Sequence, residues 1–190
     1  MILPRIARLL LWLGGWTMVG EAPTIHKAVV IAAPHTSNWD AFWGLAYKVA
    51  IGIDIKFFAK HTVFWFPLGT LLRGLGGIPL NRGLPSTAVQ QAIEAFNGSE
   101  RFYFGLAPEG TRSKTAGWKT GFYRIAEGAG VPVGLGFFDY KRKRIGIGPL
   151  LTLTGNPDAD LDICRQYYAG IQGRWPEKTS PIVFPPGMSS

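Results

Sequence analysis

The chain has 190 residues, which fits one domain of ordinary size. With 47% hydrophobic and 17% charged residues it can fill a core, which excludes a disordered polymer. A net charge of +8 calls for an anionic partner, and a single cysteine, Cys164, excludes an internal disulfide framework.

Residues 1–20 carry Arg5 and Arg8 ahead of an uncharged, mostly apolar run from Leu9 to Gly20. That run is too short to cross a bilayer, which needs about 20 apolar residues. The sequence Val19-Gly20-Glu21-Ala22-Pro23 is a poor cleavage site for a secretory signal. The segment is therefore expected to lie as an interfacial helix on a membrane surface, its arginines near anionic lipid phosphates. A helix packed against the domain is the alternative.

Residues 21–175 are expected to form the main domain, and 176–190 a Pro-rich, loosely structured tail. Lys27 to Ala33 reads as a buried strand ending at the turn Pro34-His35-Thr36-Ser37-Asn38, followed by a helix from Asp40 to Ile51. A strand at Ile55–Phe58, a helix at Phe64–Leu75 interrupted near Pro67, and a short extended piece at Gly77–Leu80 come next. Ser86 is a helix cap before Thr87–Phe96. Arg101–Leu106 is a strand, Lys119–Glu127 a helix, and Val131–Phe138 a strand. After the charged turn Lys141-Arg142-Lys143-Arg144 and the extended Ile145–Gly148, Asp158 starts a last helix that reaches about Gly170. The alternation predicts an α/β fold: a single domain with a mixed, mostly parallel sheet flanked by helices. Chemistry then belongs in the loops at strand ends.

His35 and Asp40 are the first candidates. In a continuous helix their spacing turns about 500°, leaving the side chains roughly 140° apart. They meet only if His35 stands outside the helix and Asp40 lies in its first turns, which Pro34 and the polar residues 36–38 permit. A neutral His35 can accept a proton at one ring nitrogen while Asp40 holds the other N–H. A substrate that brings its own hydroxyl needs no protein nucleophile. Three further segments put cations and backbone donors at strand ends, as a phosphate site requires: Gly76 to Arg82, Ala107 to Ser113, and Gly117 to Gly121 with Lys119.

In this order the motifs resemble the glycerophosphate acyltransferase family, in particular the 1-acylglycerol-3-phosphate acyltransferases. The matching residues are the His-x4-Asp pair, the block ending at Arg82, Pro108-Glu109-Gly110-Thr111-Arg112-Ser113, and Val131-Pro132-Val133. The resemblance implies an acyl transfer from acyl-CoA or acyl-carrier protein to the hydroxyl of a lysophospholipid, without metal or bound cofactor. His35 would be the base, oriented by Asp40. Arg82, Glu109, Gly110, Thr111, Arg112 and Lys119 would surround the acceptor's glycerol phosphate. The domain is expected to sit on the cytoplasmic face of a membrane through residues 1–20. The sequence departs from the family pattern at Pro79-Leu80-Asn81 and at Gly134-Leu135-Gly136, so a different lipid acceptor stays open.

Other classes find less support. No Gly-x-Ser-x-Gly accompanies Ser37, and the Gly-x4-Gly-Lys spacing is missing. His26 and His61 lack metal-ligand spacing with His35. The cluster at 141–144 admits a nucleic-acid-binding module, but no recognition motif joins it, and no nucleic-acid partner is expected.

Overall fold

The computed structural model describes residues 2–20, 22–80 and 85–186. Chain order runs α1 (Leu3–Leu13), β1 (Thr17–Val19), β2 (Lys27–Ala33), α2 (Asn38–Ile51), β3 (Ile55–Lys60), α3 (Leu68–Gly74), β4 (Gly77–Leu80), α4 (Pro85–Asn97), β5 (Phe102–Leu106), α5 (Gly121–Ala129), β6 (Val133–Asp139), β7 (Arg144–Leu151) and α6 (Pro157–Tyr168). The strands form one sheet in the order β1-β7-β6-β2-β5-β3-β4. All neighbours are parallel except β6 and β7, which pair antiparallel through the charged turn at 141–144. The expected mixed, mostly parallel α/β sheet is the observed one.

Side-chain alternation along β2 explains the layers. Val29, Ile31 and Ala33 face one core with Phe96 of α4, Phe122 of α5 and Leu161 and Cys164 of α6. Ala28 and Val30 face a second core with Ala7 and Leu11 of α1 and Tyr47 and Ala50 of α2. Both faces are covered, so β2 and β6 read as unbroken apolar runs.

The N-terminal segment differs from a helix spanning residues 1–20. The helix stops at Leu13 before Gly14-Gly15, and residues 17–19 turn back as the edge strand β1 against β7. Leu11 is buried under α1, a contact worth roughly 1.5–3 kcal/mol. Leu3, Ile6, Leu9, Leu10, Trp12 and Leu13 remain exposed on the outer face. No helix among the described residues is long and apolar enough to cross a membrane.

The C-terminal segment is also more ordered than a loose tail. Trp118 donates its backbone N–H to Val183 O, Arg165 donates to Ile182 O, and Thr115 meets Ser180. Phe184 packs on Phe122 and Tyr123. These contacts join residues far apart in sequence, so no local periodicity announces them.

Candidate active site

Strands β2, β5 and β6 are adjacent and parallel, so their C-terminal ends open onto one edge of the sheet. The loop after β2 carries His35, the turn after β5 carries Glu109 to Arg112, and β6 runs into Tyr140. This is where a ligand crevice forms in an open parallel sheet.

The turn at 34–40 builds the dyad locally. Ser37, in extended conformation, caps α2 by accepting from Trp39 N–H, and Asp40 at the third helical position closes a capping box. The Asp40 carboxylate is fully buried. Its Oδ2 accepts from the backbone N–H groups of Thr36 and Ser37, each at 2.8 Å, and lies 3.2 Å from His35 Nδ1. Its Oδ1 accepts from the Tyr140 hydroxyl at 2.6 Å. Four donors thus compensate a buried carboxylate at a helix N-terminus, where negative charge is favoured. Burial first, then the Asp40 carboxylate, push the Tyr140 phenol far above its ordinary range, so Tyr140 remains a donor. The His35 ring is partly exposed, and Asp40 engages only its Nδ1 side.

Glu109 grips the same turn from behind. Its Oε1 accepts from His35 N–H at 3.0 Å, while Oε2 has no protein partner. The side chain borders a small cavity of about 60 Å³ with Thr179 and Ser180. Burial raises its carboxyl above the usual range, against the hydrogen bond from His35. Gly110 adopts φ +66°, and a Cβ there would lie 2.9 Å from the Cδ and Cε of Lys119, which folds across this turn. Lys119 N–H donates to Pro108 O, fastening the start of α5 to the turn. Thr111 accepts from Ser113 N–H.

In front of the turn lies an open cleft of about 310 Å³, lined by Thr36, Ser37, Asn38, Trp39, Arg112, Arg174, Trp175 and Lys178. The structure therefore brings His35, Asp40 and Glu109 into contact, with Arg112 on the cleft and Gly110, Thr111 and Lys119 in the adjoining turn. Arg82 lies outside the described residues. Sequence reasoning missed Tyr140, Arg174 and Lys178, which no local pattern marks. It also missed the cap, although Ser37-x-x-Asp40 is a capping-box signature.

Residues after α6 reach the site by wrapping over the His35 turn. Tyr140 N–H donates to Gln172 O at 2.8 Å, and Trp175 N–H donates to Thr36 Oγ1 at 3.2 Å. Gly173 sits so close that a Cβ there would lie 2.7 Å from Thr36 Oγ1 and 3.2 Å from Pro34 Cγ. Among the described residues, no group of three His, Cys, Asp or Glu side chains is arranged to hold a metal ion.

The same fold occurs in the crystal structure of the 1-acyl-sn-glycerophosphate (LPA) acyltransferase PlsC from Thermotoga maritima. The two superpose with a TM-score of 0.66 at 20% identity, over 91% of this chain and 79% of that one. A search of curated proteins finds no significant match. Residues 17–134, well over half of the chain, match the family profile described as Acyltransferase. The chain belongs to the acyltransferase family.

Proposed function

We propose that the chain transfers a fatty acyl group from acyl-CoA or acyl-carrier protein to the hydroxyl of a lysophospholipid, with 1-acylglycerol-3-phosphate as the first candidate. The contact between His35 Nδ1 and a fully buried Asp40 carries this reading. With Nδ1–H donated to Asp40, Nε2 is left to take the proton of the acceptor hydroxyl as its oxygen attacks the thioester carbonyl. The carbon–sulfur bond then breaks, and the imidazolium returns the proton to the departing thiolate. Asp40 stabilises the transient imidazolium without itself taking the proton. Arg112 is the cleft residue we assign to the acceptor's phosphate, with Gly110, Thr111 and Lys119 shaping its turn and Glu109 holding the backbone of the base. Arg82 keeps a place in this proposal through its motif alone. No metal or bound cofactor takes part in it.

The proposal includes attachment to an anionic membrane surface at its cytoplasmic face through α1. The exposed apolar row from Leu3 to Leu13 and the net positive charge support it. A nucleic-acid partner gains nothing from the 141–144 turn, where Arg142 pairs with Asp139 and Lys143 donates to Gly14 O.

The test offers several lysolipids with labelled acyl-CoA and acyl-carrier protein and reads products by mass. Product formed by wild type and lost in His35→Ala, with an unchanged melting temperature, is the expected result. Equal turnover by His35→Ala would remove the base. Co-sedimentation with anionic vesicles, reduced by Leu9→Glu with Trp12→Glu, tests the surface role.

A further inference from the structure

The cleft in front of His35 holds two cations that belong to none of the family-like motifs. Arg174 and Lys178 come from the segment after α6 and line the same cleft as Arg112. Among the described residues, none of the three cations takes part in a salt bridge. Glu177 is an exposed neighbour in the same segment but does not line the cleft.

Arg174 and Lys178 lie on aromatic faces, with Arg174 also beside the Tyr140 hydroxyl, rather than against neutralising charge. The Arg174 guanidinium lies 5.7 Å from the Trp39 ring and 5.6 Å from the Trp175 ring, and Lys178 Nζ lies 5.7 Å from Trp175. Cation–π contacts of this kind orient a guanidinium and leave its full charge for an anion. The segment itself is fixed by the hydrogen bonds of Gln172 and Trp175 to Tyr140 and Thr36. The cleft is also lined by the hydroxyl-bearing turn at Thr36 and Ser37, next to His35.

We propose that Arg174 and Lys178, together with Arg112, form a binding site for a phosphomonoester, so that the segment after α6 reads the anionic end of a substrate. Three cations suit a group that carries about −1.5 to −2 at neutral pH and presents three acceptor oxygens. A phosphodiester carries a single negative charge, and a choline head would bring a repelled cation. The substrates named here rest on the acyltransferase reading, whereas the chemistry of the cleft does not. One phosphomonoester is that of a lysophospholipid acceptor such as 1-acylglycerol 3-phosphate. The other is the ribose 3′-phosphate of an acyl-CoA donor.

The test is equilibrium binding to the full chain, followed by NMR or calorimetry. The probes are glycerol 3-phosphate for the acceptor end and adenosine 3′,5′-bisphosphate for the donor end, with glycerophosphocholine as the diester control. Wild type is compared with Arg174→Gln, Lys178→Gln, the double variant and Arg174→Lys. Arg101→Gln, an exposed change at the opposite end of β5, is the control. Loss of one charge-assisted contact is expected to weaken a phosphomonoester roughly tenfold or more, and loss of both still further. Arg174→Lys is expected to retain part of that affinity, and Arg101→Gln all of it. Weakening confined to glycerol 3-phosphate assigns the site to the acceptor, and weakening confined to the bisphosphate assigns it to the donor. Unchanged affinity for both probes in the double variant, at an unchanged melting temperature, would overturn the site. Tight phosphomonoester binding by a chain that transfers no acyl group would sink the enzymatic reading and leave the site standing.

Discussion

The two sides of the turn at 34–40 are built on opposite physical plans. Behind it, Asp40 is excluded from water and held by four donors from the turn itself and from Tyr140. In front, Arg112, Arg174 and Lys178 stand in an open cleft among exposed tryptophans. The closed side keeps a charge in a fixed geometry before any substrate arrives, which is what proton transfer at a defined distance requires. The open side leaves charges solvated until a ligand replaces water, which suits recognition and release. A single short turn separates the two arrangements.

Changes on the closed side should have the largest effects. Asp40→Asn puts an amide where one oxygen now accepts from three groups, and turnover is expected to fall by roughly 10²–10⁴-fold. Single-turnover kinetics would check this, and a rate near wild type would show that the closed side is only structural. On the open side, Arg112→Ala should raise the acceptor Michaelis constant by ~10- to 100-fold, equivalent to ~1.5–3 kcal/mol, with kcat much less affected. A fall in kcat alone would erase the division between the two sides. Tyr140→Phe removes one hydrogen bond to a charged acceptor and is expected to lower kcat about tenfold without changing acceptor binding.

The smallest effect concerns Glu109. Burial raises its folded-state carboxyl above the unfolded value, so the native chain holds the proton more tightly. Stability therefore falls as pH rises from the unfolded value through the raised folded one. Glu109→Gln keeps an acceptor for His35 N–H and removes that ionisation. Its melting temperature should gain on wild type as pH rises from mildly acidic to neutral, and a constant difference would contradict the sign.

How much of this was legible follows from how far each contact reaches along the chain. Strand β2 was expected over the very residues it occupies, because burial on both faces leaves an unbroken apolar run. Helices α2 and α4 lie within a few residues of their expected bounds, and the dyad geometry follows from the short turn at 34–40. Strand β1 has only three residues at a sheet edge and carries no period to detect. Helix α3 is shorter than expected because it starts only after Pro67, which stands at its N-cap, and residues 64–67 form the connection from a 3-10 turn at His61–Val63. Tyr140 meets Asp40 across 100 positions, and Arg174 reaches the cleft only because α6 returns its successor segment to β2. Such contacts come from topology, which residue patterns between neighbours do not encode.

Position 173 has a consequence for how this scaffold can diversify. Because a Cβ at Gly173 would run into the Thr36 and Pro34 side chains, even one added methyl group would force a shift between the segment after α6 and the His35 turn. On the phosphomonoester proposal, the cations that choose the ligand sit on a segment separate from the donors around Asp40, so exchanging the residues that follow the last helix would alter the cleft and keep the buried carboxylate's partners.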